Sequence, residues 1–237
     1  MKIIKLTHRV FITCSIVILL LGGSAVAQDI GKPLSFGIRA GISESVLAID
    51  YQPTTYYRIS PIIGGFVQYR VQPWVTVSLD AVYTQYGGNG VSPLFIYSPD
   101  SPMLDNLGKT DLFIHSCEVP IAVKVGLPNF SGSVRPFLSV GASAAFFFQA
   151  NAVNYFVVDN GSDYPYYYKA NDVVTSRVKA YDMSFISGTG VEFIGERFSY
   201  SIEIFYRMGL SNLNETSKTY VPDYRANAFG VKIGIGL

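Results

Sequence analysis

The chain has 237 residues, 18 Lys plus Arg against 17 Asp plus Glu, and only 15% charged residues, below the roughly 25% of soluble domains. That balance excludes a nucleic-acid binder, which carries a basic patch or stripe. Aromatic residues reach 14%, with 17 Tyr and 16 Phe, a composition that fits a membrane-spanning β-barrel better than a helical membrane protein.

The N-terminus comes first. Lys2, Lys5 and Arg9 precede the apolar run Val10 to Leu21, and Ala25-Val26-Ala27 follows Gly22, Gly23 and Ser24. A basic start, a short apolar stretch and small residues at −3 and −1 predict a secretory signal peptide over residues 1–27. The run is shorter than the roughly 20 residues of a membrane-spanning helix, and Cys14 within it has no lipobox. The remaining residues, 28–237, are read as one outer-membrane β-barrel domain. Cleavage removes three cations and no acid, leaving 15 basic and 17 acidic residues, a net charge of −2. It also leaves Cys117 as the sole cysteine and His115 as the sole histidine, so no intramolecular disulfide is possible.

Eight segments then alternate with period two, which places their two residue sets on opposite faces of a wall. Leu34, Phe36, Ile38, Ala40 and Ile42 alternate with Ser35, Gly37, Arg39 and Gly41. Near Ile62 to Val71, the residues Ile63, Val67, Tyr69 and Val71 oppose Gly64, Gln68 and Arg70, and Phe66 breaks the pattern. Val75 to Tyr83 alternates with Thr76, Ser78, Asp80 and Thr84. Val119, Ile121, Val123 and Val125 oppose Glu118, Pro120, Ala122 and Lys124. Leu138 to Phe146 opposes Ser139, Gly141 and Ser143. The sixth segment sets Met183, Phe185, Val191 and Phe193 against Asp182, Ser184, Gly188, Gly190 and Glu192. In the seventh, Phe198 to Tyr206 opposes Ser199, Ser201, Glu203 and Arg207, and the last opposes Phe229 to Leu237 with Gly230, Lys232, Gly234 and Gly236.

Connections alternate too. Short ones fall around Gln72-Pro73, Pro128 to Ser133 and Gly195 to Arg197; long ones span about 43–60, 87–111, 149–180 and 211–225. Outer-membrane barrels show this alternation, with short periplasmic turns and long outer loops. The predicted fold is all-β: a transmembrane antiparallel up-and-down barrel of about eight strands with long extracellular loops. Asp159-Asn160-Gly161, between Ala152–Val158 and Tyr164–Tyr168, suggests a hairpin within the longest loop, and ten strands in the barrel is the alternative.

The polar set holds Arg39, Arg70, Lys124, Arg207 and Lys232, together with Asp80, Glu118, Asp182, Glu192 and Glu203. It is too small and too rich in Gly and Ser for a solvent face. The apolar set is bulky, with Tyr and Trp74 near strand ends as in an interfacial girdle. Apolar therefore reads as lipid-facing and polar as lumen, where the ten charges are expected to pair and fill a narrow interior.

The segments Phe36-Gly-Ile-Arg-Ala-Gly-Ile42, Cys117-Glu-Val-Pro-Ile-Ala-Val-Lys124, Pro136-Phe-Leu-Ser-Val-Gly141 and Tyr206-Arg-Met-Gly-Leu-Ser-Asn-Leu213 resemble the PorT-like outer-membrane barrels of Bacteroidota-type bacteria. The resemblance covers most of residues 34–237. It implies an eight-stranded barrel in the outer membrane and offers no catalytic residues. One namesake member serves type IX secretion, a role these segments do not transfer.

Other motifs carry less. His115 and Ser116 are adjacent on a strand and point to opposite faces, which argues against a hydrolase pair. Asp159 to Asp163 lacks the acid spacing of a calcium loop, and the sequon at Asn214 is incidental. No cofactor or metal is expected. Tyr51, Tyr56, Tyr57, Tyr164, Tyr166, Tyr167 and Tyr168 crowd two long loops. Tyrosine suits interfaces because it buries much area with few rotors, so these form a possible partner surface, against the alternative that they pack on each other or on headgroups. The expected function is a non-enzymatic scaffold or accessory in envelope assembly, secretion or partner binding, set in membrane lipid, with an envelope or secretion-system protein as possible partner. A lipid-modifying enzyme or a narrow pore is the alternative, and the oligomeric state is not readable.

Overall fold

A computed structural model describes residues 33–49, 52–53, 55–91, 107–127, 133–158, 166–195, 197–215 and 223–237. The predicted signal peptide, Tyr51, Tyr164 and the Asn160-Gly161 turn lie outside these residues. Among the described residues ten strands run in chain order: β1 (Leu34–Ile49), β2 (Gln52–Pro53), β3 (Arg58–Gln72), β4 (Val75–Asn89), β5 (Leu107–Gly126), β6 (Val134–Val158), β7 (Tyr166–Val173), β8 (Tyr181–Ile194), β9 (Ser199–Gly209) and β10 (Tyr224–Gly236).

Eight of them close a ring. The order β10-β9-β8-β6-β5-β4-β3-β1 is completed by antiparallel pairing of β1 with β10, from Gly37↔Gly236 to Ile49↔Tyr224. Closure matters because a strand edge in hydrocarbon leaves backbone groups without partners, at several kcal/mol each. β2 adds to the end of β1, and β7 pairs with the far end of β6 from Val158↔Tyr166 to Asn151↔Val173. The hairpin thus stands beside the ring rather than within it, and the barrel has eight strands.

Period-two alternation carries through to exposure. Along β9, Tyr200, Ile202, Ile204 and Tyr206 are exposed while Ser201, Glu203, Phe205 and Arg207 are buried. Ile38 is 68% exposed and Leu138 66%, whereas Arg207 is 1% exposed. Such an inverted distribution suits a wall with acyl chains outside.

The strands are longer than alternation suggests. β1 continues to Ile49, β5 begins at Leu107 and β6 runs to Val158, all inside segments read as loops. Two effects hide these extensions. At Val46, Leu47 and Ala48 consecutive residues are all buried, so the two-face contrast vanishes. In β6, Ser116 pairs with Phe147 but His115 pairs with Gln149. Phe148 is therefore the extra residue of a bulge, and inward parity switches from Ser143, Ala145 and Phe147 to Ala150, Ala152 and Asn154.

Phe66, which breaks the pattern of its segment, is 6% exposed and points inward with Gln68. Phe137 and Phe205 are likewise buried. The lumen therefore contains large rings as well as charges, which the apolar-out, polar-in reading missed. Glycines make room for them: a Cβ at position 230 would lie 2.7 Å from Phe205 Cε1, and one at position 190 would lie 2.7 Å from Phe137 Cζ.

Candidate functional site

The ten lumen charges come from β1, β3, β4, β5, β8, β9 and β10, and each has an opposite charge within ion-pair distance. Arg39 pairs with Asp80, whose other oxygen accepts from Ser78 Oγ at 2.8 Å. Gln68 continues the chain: with its amide turned to satisfy its neighbours, its oxygen accepts from Arg39 at 3.2 Å and Lys124 Nζ at 2.8 Å. Glu203 lies 3.9 Å from Lys124 Nζ and 3.5 Å from Lys232 Nζ, and accepts from Ser139 Oγ at 2.8 Å.

A second cluster centres on Arg207. Its Nε donates to Glu118 at 3.0 Å, Nη2 to Asp182 at 2.7 Å and Nη1 to the Ala226 carbonyl at 2.8 Å. Tyr86 donates its hydroxyl to Glu118, and the Ser211 amide donates to Asp182 at 3.0 Å. Breaking one member of such a buried set leaves an uncompensated charge, at a cost of about 3–5 kcal/mol. The remaining pair, Arg70 with Glu192 at 3.6 Å, sits at the short-turn mouth with side chains 21% and 19% exposed, where a single ion pair contributes about 0–1 kcal/mol.

Each of the four deeply placed cations also faces a ring. Arg39 stands 4.6 Å from the Phe66 centroid, Lys124 4.7 Å from Phe137, Lys232 4.6 Å from Phe205 and Arg207 4.2 Å from Tyr86. A desolvated cation gains up to about 2 kcal/mol from such a ring. A bulky aromatic at polar parity was the available signal for these partners.

Towards the end that carries the long connections, the filling changes character. Leu47, Leu112, Ile114, Phe147 and Leu213 form one buried apolar cluster with Tyr224 and Ala226. Two connections help build it. Val174 and Val178 flank a 3-10 turn between β7 and β8 and are buried in the cluster. Leu213, from the β9–β10 connection, is held by Lys179 N to its carbonyl at 2.8 Å and by its own amide to Tyr224 O at 2.8 Å.

His115 lies on the outer face, its Nδ1 2.8 Å from the Tyr83 hydroxyl. Ser116 is buried and donates to the Thr84 carbonyl at 3.0 Å. The two side chains lie on opposite sides of β5 and form no nucleophile–base pair. Among the described residues no three His, Cys, Asp or Glu gather as metal ligands. Tyr56 and Tyr57 are 74% and 59% exposed. Tyr166, Tyr167 and Tyr168 lie on β7, and only their backbone is described.

A search of the curated proteins finds no match. Among solved structures, the chain is similar to Neisserial surface protein A at 15% identity and a TM-score of 0.43, covering 84% of this chain and 96% of that one. It is similar to Ail, the attachment invasion locus protein of Yersinia pestis, at 14% identity and 0.39, covering 86% and 98%. It is also similar to the outer membrane protease OmpT of Escherichia coli, at 8% identity and 0.38, covering 90% and 98%. Likeness at this level decides nothing about activity. The family model described as outer membrane protein beta-barrel domain matches residues 26–215, most of the ring strands among them, and the chain belongs to that family of the outer membrane.

Proposed function

We propose that this barrel is a non-enzymatic scaffold whose wall anchors it in outer-membrane lipid and whose long connections meet an envelope or secretion-system protein. In this reading residues 1–27 are a cleaved export signal, the chain is a PorT-like barrel, and the long connections face outward, where such a partner would meet them. The supporting observation is the filled interior: paired charges and rings along the lumen, and an apolar cluster at the long-connection end. Among the described residues such a filling favours a closed wall over an open pore.

The first test is conductance in a planar bilayer. Purified mature protein is expected to give no steady single-channel current, and large, steady currents overturn the closed-lumen reading. The second is in-cell crosslinking from the exposed Tyr56 and Tyr57 loop. A discrete adduct that disappears with Tyr56→Ser/Tyr57→Ser supports a partner surface; no adduct from any long connection counts against the scaffold. Altered lipid A or phospholipid in a deletion strain, reversed by adding the gene back, would favour the lipid-modifying alternative.

A further inference from the structure

We infer that the short-turn mouth of the barrel is a binding site for a phosphate group. A cavity there is lined by Arg70, Lys124 and Arg135, with Trp74 and a single acid, Glu192. Arg70, Thr76 and Lys124 fall in one register row across β3, β4 and β5, and Arg135 faces Glu192 across the β6–β8 ladder. Three cations and one carboxylate thus line the cavity, and of the three only Arg70 comes within ion-pair distance of Glu192, at 3.6 Å. Glu203, on the far side of Lys124, is shared with Lys232 and does not line the cavity.

Arg135 is the residue that points to a ligand. Its Nε is buried without a hydrogen-bond partner, and its Nη1 has only a 3.4 Å contact to the Pro73 carbonyl. A guanidinium presents a planar fork that matches two phosphate oxygens, and apart from the long Pro73 contact its Nη groups have no protein acceptor among the described residues, so an oxyanion in the cavity would supply one. The site lies where the lipid-facing belt ends. Val71, Trp74, Val125 and Leu127 are exposed around it, and an interfacial tryptophan marks headgroup level. The phosphate is accordingly that of a phospholipid headgroup or of a free phosphate compound.

Trp74 is the only tryptophan in the chain and reports on the site. Detergent-folded protein would be titrated with inorganic phosphate in one arm and with short-chain phosphatidylglycerol in another, against chloride at matched ionic strength. A saturable change in Trp74 emission is expected. Saturation by the lipid alone assigns a headgroup; saturation by both assigns phosphate from either source. Arg135→Gln should weaken binding by about tenfold or more, as expected for loss of a charge-assisted hydrogen bond. Glu192→Gln should tighten it, because it removes the opposing charge. Opposite signs separate a binding role from a structural one, and unboiled gel mobility checks that each variant folds. If Arg135→Gln fails to fold, Arg135→Lys serves, with weakened binding expected from the lost fork. No saturable response in either phosphate arm, an equal response to chloride, or the same direction of change in both variants would overturn the assignment.

Discussion

The lumen along the barrel and the cluster at its long-connection end fill the same ring by opposite chemistry. The first uses ten charges, buried rings and a few hydroxyls; the second uses Leu47, Leu112, Ile114, Phe147 and Leu213. The charged part is intolerant of partial change, because each ion is acceptable only while its partners remain. The apolar part tolerates change in proportion to the volume removed. The charged part also dictates which strands must meet, whereas the apolar cluster accepts any arrangement that fills space. Specificity is therefore concentrated in the ion pairs, and at the long-connection end the strands share the filling with Val174, Val178 and Leu213, which lie in connections that carry no strand period.

That contrast can be broken at its strongest point. Arg207→Met leaves Glu118 and Asp182 without their shared cation, and should cost about 3–5 kcal/mol in urea unfolding from lipid vesicles. Adding Glu118→Gln and Asp182→Asn should recover most of the loss; no recovery would mean that packing, not charge, dominates there. In the apolar cluster, Leu112→Ala should cost about 3 kcal/mol, read by the same unfolding curve, with no neutralising change able to rescue it. Lys232→Met is expected to cost less, about 1–2 kcal/mol, because Glu203 keeps Lys124 and Ser139. The smallest effect belongs to the partly exposed mouth pair. Arg70→Gln should shift stability by less than about 1 kcal/mol, and a larger shift would show that the mouth is as dry as the centre.

The ten charged residues were legible from parity alone, because period two sorts residues by face without knowledge of neighbours. Their ring partners were not. Phe66 reads as an interruption of its segment, and Phe137 and Phe205 sit beside apolar residues of the opposite face, so a one-dimensional pattern cannot tell an inward ring from a defect. The strand ends beyond Ile42 and Phe146 escaped for a local reason. A bulge at Phe148 inverts parity, and at Val46 to Ala48 both faces are covered. Leu213, Val174 and Val178 had no periodic signal at all, since they pack from connections.

By itself the sequence determined that a wall with one greasy and one ionic face would form, and that strictly alternating connection lengths would wind it up and down. Alternation is a local property, written residue by residue. Which cation meets which anion was decided only by closure. Glu118 and Arg207 stand 89 positions apart on β5 and β9, strands that never pair. Their contact depends on the curvature and stagger of the whole ring, which no segment encodes alone.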